Sequence, residues 1–208
     1  MQADPVSNPT PNKLIPRAGI AVGILLLVAL GFAITTLLGK LWTTPDETVQ
    51  IGGPFTLVEG GGKLVSDTDF RGKWMLVYFG YTHCPDACPT ALSHIANALD
   101  ELGTSTAAGI VPVFITVDPA RDTPAVMHDY VSAFDSHIYG LSGSADQIAN
   151  AEGEYRVYAA KHPEPDGDYS MDHSSIIYVM NPKGQFVTSF TQETTVDAMA
   201  AKLRQLGA

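Results

Sequence analysis

Basic residues are scarce in this chain. Beyond position 40 it carries nine Lys and Arg against twenty-one Asp and Glu, a balance of −12. Such a surface repels phosphates and excludes nucleic acid as a partner; beyond that, acidity describes a solvated exterior. Charge is missing altogether from Ala18 to Gly39, where the sequence reads AGIAVGILLLVALGFAITTLLG. At 1.5 Å per residue the run makes roughly 33 Å of helix, enough to cross a hydrocarbon core of about 30 Å. A cleavable leader would have a shorter apolar stretch, about 7–15 residues, ending at a small-residue cleavage site. This run ends in LLGKLW and has no such site. An uncleaved single-pass anchor is therefore expected at 18–39, behind a polar, proline-rich tail at 1–17. Lys13 and Arg17 precede the span and Lys40 follows it, so the basic excess keeps the tail in the cytoplasm and the rest outside. The tail lacks the Arg- and Ser-rich amphipathic character of a mitochondrial presequence. A bacterial inner membrane with the C-terminal domain in the periplasm is the expected location.

No internal repeat occurs, and 45% apolar with 16% charged residues excludes wholesale disorder. Residues 40–53 contain few large apolar side chains and end in Gly-Gly, as a linker does. From 54 to 208 the pattern is that of one domain. FTLVE and KLVSD flank a Gly-rich turn, a hairpin signal, and WMLVYFGY is a continuous apolar run expected as a strand buried on both faces. PTALSHIANALDELG puts Leu92, Ile95, Ala96, Leu99 and Leu102 on one helical face, with Gly103 as the stop. IVPVFITVD is a second buried strand. Asp122-Thr123-Pro124 opens a helix, with Asp122 as the expected cap. A weak strand near IYGL, a helix from a Ser144/Gln147 capping box, a second hairpin through NPKG and a closing helix complete the chain. Strands alternating with helices imply parallel pairing, and a terminal hairpin implies an antiparallel edge. The expected fold class is α/β: a thioredoxin-like mixed sheet flanked by helices, with an N-terminal transmembrane helix.

Cysteine is nearly absent. Cys84 and Cys88, four apart in GYTHCPDACPTAL, are the only two. Cys88 precedes Pro89, which disfavours helical backbone before it, so Cys88 is expected as the helix N-cap. The positive end of that helix should lower both thiol pKa values. Three uses of the pair stay open. A permanent disulfide would close too short a loop to stabilise a domain of this size. Thiol–disulfide exchange is the second use, and metal binding by two soft thiolates the third. Three intervening residues, one more than in thioredoxins, let the sulfurs open toward the roughly 4 Å that two ligands of one ion need.

A third ligand would favour metal. His83 adjoins Cys84 but points elsewhere, and His94 sits on the flank of a helix. His128, His137 and His162 fall on surfaces. His173 stands in DYSMDHSSIIYV, after the polar loop KHPEPDGDYS and immediately before a strand. In a thioredoxin-like topology that strand start faces the cysteine loop, where thioredoxins carry a proline.

GYTHCPDACPTAL, TVDPARDTP at 116–124 and YSMDHSSIIYVMNPKG at 169–184 together resemble the three signature segments of the Sco/SenC proteins. The resemblance spans most of residues 50–208 and extends to the anchor. It implies a membrane-anchored, thioredoxin-like protein that binds copper, as Cu(I) or Cu(II), through Cys84, Cys88 and His173. Its expected partner is the copper-bearing subunit of cytochrome c oxidase, with an upstream copper donor or a thiol reductant serving the site. Two thiolates suit Cu(I), and an added imidazole suits Cu(II). Asp86, Asp172 and Met171 are weaker candidates for tuning, orienting or extending the site. Asp118 matches the middle segment without a mechanism of its own.

The expected function is copper delivery to the dinuclear copper site of the oxidase. The alternative is a thiol–disulfide oxidoreductase that uses Cys84 and Cys88 to reduce that site's cysteines. The chain reads first as a metal-binding assembly factor, with thiol exchange as a further activity of the same dithiol. A peroxidase of the thioredoxin superfamily would leave the paired cysteine and His173 without a role, although Thr82 stands near Cys84.

Overall fold

Seven consecutive residues, Trp74–Gly80, form β3, and seven more, Ile110–Thr116, form β4. The two strands pair in parallel, Trp74 with Ile110 through Gly80 with Thr116. Except for the half-buried Trp74, every residue of both is buried, which is why neither shows an alternating pattern. The computed structural model describes residues 17–41, 50–165 and 167–208. It divides into two units, 1–48 and 49–208.

In the first unit α1 runs from Arg17 to Leu41, two residues beyond the expected span at its C-terminal end. Its side chains over 22–36 are exposed. Among the described residues no helix is long and apolar enough to cross a membrane. The tail at 1–16 and linker positions 42–49 lie outside the described residues.

The second unit follows the expected order. β1 (Thr56–Glu59) and β2 (Leu64–Ser66) form the first hairpin, and a 3-10 turn at Asp67–Phe70 leads into β3. α2 (Ala87–Leu102) and a single turn, α3 (Thr104–Ala107), connect β3 to β4. α4 (Pro124–Ser132), β5 (Tyr139–Ser142) and α5 (Ala145–Tyr155) come next. β6 (Ala159–Pro163) and β7 (Tyr169–His173) form a hairpin where the sequence suggested only a polar loop. β8 (Ile176–Met180), β9 (Phe186–Thr191) and α6 (Val196–Leu206) close the chain.

The main sheet has seven strands in the order β2-β1-β5-β4-β3-β8-β9, and β6-β7 stands apart as a two-stranded sheet. β3, β4 and β5 are parallel; the β1–β2 and β8–β9 hairpins run antiparallel at the two edges. Successive residues of β3 face opposite sides. Tyr78 stacks on Phe114, which meets Tyr130 of α4, and it also approaches Cys88 of α2. Phe79 meets Tyr155 of α5 on the other side. The predicted apolar face of α2 is buried in full, and Gly103 ends that helix at φ 76°, a conformation open to glycine. α6 lies beside α2, with Arg204 donating to the Glu101 carbonyl at 2.8 Å.

Two predicted caps shift by a residue or more. Thr123, not Asp122, caps α4, its hydroxyl accepting from the Val126 amide. Cys88 is not the N-cap of α2; Asp86 is, and Cys88 sits inside the first turn with Pro89 after it. The first helical bond runs from the Thr90 amide to the Asp86 carbonyl, so Pro89 occupies a position whose missing N–H would have had no helical acceptor. The Ser144/Gln147 box forms as expected.

Candidate metal centre

β3 stops at Gly80, and the chain crosses from Tyr81 to Asp86 before α2 begins. Cys84 holds this crossing in shape: its amide donates to the Tyr81 carbonyl at 3.3 Å. Its sulfur accepts the Cys88 amide at 3.4 Å. Cys88 is fully buried, with the Tyr78 hydroxyl 4.0 Å from its sulfur. Gly80 lies directly beneath. A Cβ there would come within 2.6 Å of the Cys88 sulfur and 2.8 Å of the Phe114 ring.

The third member arrives on β7. Alternation along that strand turns Tyr169, Met171 and His173 to one side and Ser170 and Asp172 to the other. The His173 ring meets Tyr78 and Tyr81 edge-on, with centroids 6.2 and 5.9 Å away. Its Nδ1 lies 3.2 Å from the Ser174 carbonyl, an acceptor only, so the proton sits on Nδ1. The Nε2 lone pair then faces the Cys88 sulfur at 3.5 Å. The donor atoms of Cys84, Cys88 and His173 all lie within 4.8 Å of one another. Both cysteines are free thiols.

The expectation that the helix end lowers both thiol pKa values is half corrected. Cys84 is held down to about 5, first by the hydrogen bond from the Cys88 thiol and then by the Cys88 and Asp86 amides, against its partial burial. Cys88 is pushed far above the usual thiol range by that same bond and by burial. Two adjacent sulfurs without a cation between them cannot both carry charge cheaply, so one thiolate forms at the other's expense. A soft cation would reverse this for Cys88.

The supporting residues sort differently from the sequence reading. Asp172 does not orient His173; it is exposed and lies 3.9 Å from His162, while the Ser174 carbonyl fixes the imidazole. Asp86 acts on Cys84 through its backbone amide, and its carboxylate approaches the Thr90 hydroxyl. Met171 is buried. Asp122 is completely buried and ties two loops together, accepting from the Thr82 amide, the Thr82 hydroxyl and the Thr116 hydroxyl. Thr82 is thereby committed to Asp122, which removes the residue the peroxidase reading relied on. His83 turns to Thr82, and His128, His137 and His162 are exposed. Asp118, without a role in the sequence, is buried and accepts from Arg121 Nε and the Tyr169 hydroxyl.

Sequence reasoning missed the β6–β7 hairpin and the residues that seat it, Tyr81, Arg121 and Tyr169. The signals were present: Pro-Asp-Gly between two short runs, and alternation through Tyr169, Met171 and His173.

The SCO1/SenC family model matches residues 43–208. The chain belongs to the SCO1/SenC family. "Protein SCO1 homolog 1, mitochondrial" of Arabidopsis thaliana is 44% identical over 149 residues, covering 72% of this chain and 45% of that protein. The chain spans about half the length of such curated relatives. The structure of Bradyrhizobium japonicum ScoI with copper bound matches at 49% identity and a TM-score of 0.69, covering 74% of this chain and 98% of that one. Yeast Sco1 with copper bound matches at 38% identity and a TM-score of 0.70, over 75% of this chain and 87% of that one. BsSco, described as a member of the Sco family of cytochrome c oxidase assembly proteins, shares the fold at 21% identity and a TM-score of 0.58, over 76% of this chain and 94% of that one. The second unit thus has the Sco-type α/β fold.

Proposed function

We propose that this SCO1/SenC protein carries copper on Cys84, Cys88 and His173 and passes it to the dinuclear copper site of cytochrome c oxidase. The observation that carries the reading is the meeting of two sulfurs and one imidazole nitrogen within 4.8 Å, with the nitrogen 85 positions from Cys88 in sequence. The donor set fits the ion. Two thiolates satisfy Cu(I) at low coordination number, and the imidazole extends the same site to Cu(II). Ser174 keeps Nε2 unprotonated for that purpose, and the buried Cys88 gives up its proton as the ion enters. The copper-bound relatives and the oxidase-assembly role of BsSco support the assignment of cargo and recipient. We also propose that 18–39 anchors the chain in a bacterial inner membrane and that 40–53 spaces the domain at 54–208 from it, on the periplasmic side. The uncharged run and the exposed apolar side chains of α1 support this part.

A second reading has its own observation. Cys84, half-buried and held down to about 5, is a nucleophile at neutral pH, whereas Cys88 is buried and protonated. As a thiol–disulfide oxidoreductase, the Cys84 thiolate attacks a disulfide in the oxidase copper site and releases one partner thiolate. Cys88 then loses its proton, attacks the mixed disulfide and releases the second. The partner disulfide is reduced to two thiols, Cys84 and Cys88 are oxidised to a disulfide, and a thiol reductant restores them.

Titrating the reduced full chain in detergent with Cu(I) and Cu(II), beside His173→Ala, separates the readings. Copper carriage on three donors requires that the variant lose Cu(II) and its sulfur-to-copper charge-transfer absorption while its disulfide-exchange rate stays near wild type. An unchanged absorption in the variant overturns the three-donor reading.

A further inference from the structure

β6 and β7 share no ladder with the seven-stranded sheet, so His173 is not held against the cysteines by strand pairing. A cluster four residues back along the same face of β7 connects the hairpin to the sheet. Asp118 follows β4 and is 1% exposed. Its carboxylate accepts the Tyr169 hydroxyl at 2.9 and 3.1 Å and Arg121 Nε as well. Arg121 Nη1 reaches across to the hairpin, donating to the Tyr169 carbonyl at 2.9 Å and to Asp168 at 3.2 Å. The guanidinium carbon lies 3.8 Å from the Tyr169 ring centroid and 5.8 Å from that of Tyr81. Tyr81 in turn packs edge-on against His173. Charge, hydrogen bonds and ring contacts thus all run between the loop after β4 and the strand that carries the imidazole.

We propose that Asp118, Arg121 and Tyr169 form a latch that sets how far His173 reaches toward the cysteine pair, and so fixes the site's preference between Cu(II) and Cu(I). The inference rests on the copper reading above. The physical reason is the difference in donor demand. Cu(I) is satisfied by two thiolates, whereas Cu(II) depends on the imidazole, so loosening the hairpin weakens one state selectively. Arg121 suits the task because its planar fork makes directed bonds to a carboxylate and a carbonyl at once, which a lysine cannot reproduce. These are positioning residues; none of them belongs to the donor set.

The test uses the full chain in detergent with Arg121→Lys, which keeps the charge and loses the fork, and Tyr169→Phe, which keeps the ring and loses the hydroxyl. Both are measured for Cu(II) affinity, Cu(I) affinity and charge-transfer absorption, and then without copper for amide hydrogen exchange. For Arg121→Lys, Cu(II) affinity falls by roughly 10–100-fold, the range for residues that orient a ligand, while Cu(I) affinity changes by less than about threefold. Its β6–β7 amides exchange faster and those of β3 and β4 do not. Tyr169→Phe moves each quantity the same way by less. Equal weakening of both copper states, faster exchange throughout the main sheet, or wild-type behaviour overturns the latch. His173→Ala, run in parallel, keeps the two levels apart. If it leaves the absorption intact, the three-donor reading fails. If it removes the absorption while Arg121→Lys alters neither Cu(II) affinity nor hairpin exchange, the latch alone fails.

Discussion

The seven-stranded sheet and the β6–β7 hairpin hold the same site by opposite means. β3 and β4 are almost wholly buried and paired on both sides, and they lie under the Cys88 sulfur through Gly80 and Tyr78. The hairpin buries only Met171, exposes Lys161–Pro163 of its other strand, and its strands pair only with each other. Local stability follows burial and pairing, so the sulfurs sit on the part of the domain that opens least and the imidazole on a part that opens readily. The difference assigns permanence to one kind of donor and adjustability to the other.

Four measurements break or sharpen that contrast. The largest effect is expected from Phe114→Ala, which empties the sheet under the cysteine loop. A loss of about 3–5 kcal/mol in denaturant unfolding is expected for a buried aromatic; a loss below about 1 kcal/mol would mean the frame is not rigid there. Next, native-state hydrogen exchange should show β6–β7 amides opening on the order of a hundredfold more often than those of β3 and β4. Equal protection of the two regions would erase the distinction. Asp122→Asn, which disturbs the carboxylate joining Thr82 to Thr116, should cost about 1–3 kcal/mol, the range for weakened buried hydrogen bonding. Its effect should appear as faster exchange in the Tyr81–Asp86 crossing, and a change confined to the hairpin would contradict the assignment of that crossing to the frame.

The smallest effect concerns pH. Because the Cys84 pKa is depressed in the folded chain, its thiolate contributes stability in full above the ordinary thiol value near 9. That contribution shrinks as pH falls and is gone below about 5. Alkylation of the copper-free protein should therefore label Cys84 first, with a rate that levels off above about pH 6. An inflection near pH 8.5 would show that Cys88 gives no hydrogen bond to its neighbour.

Most of the frame was legible in the sequence because its signals are local. Continuous apolar runs gave β3 and β4, a one-sided stripe gave α2, and Ser144 with Gln147 gave the start of α5. The meeting of Cys84, Cys88 and His173 was legible too, through topology and motif resemblance, since no periodicity relates His173 to Cys88. What stayed hidden depends on long-range pairing. Asp118 and Asp122 look like loop carboxylates until Tyr169 and Thr82 arrive from 51 and 40 positions away. The split between the two thiol pKa values was equally out of reach, because it comes first from the hydrogen bond that Cys88 gives Cys84 and from the deeper burial of Cys88.

Gly80 contributes no functional group, yet it decides how deep the buried sulfur can lie. A methyl 2.6 Å from that atom is closer than real contacts allow, so the sulfur would have to shift. Gly80→Ala, a single added carbon below the second cysteine, would therefore disturb the cradle without altering any of its functional groups.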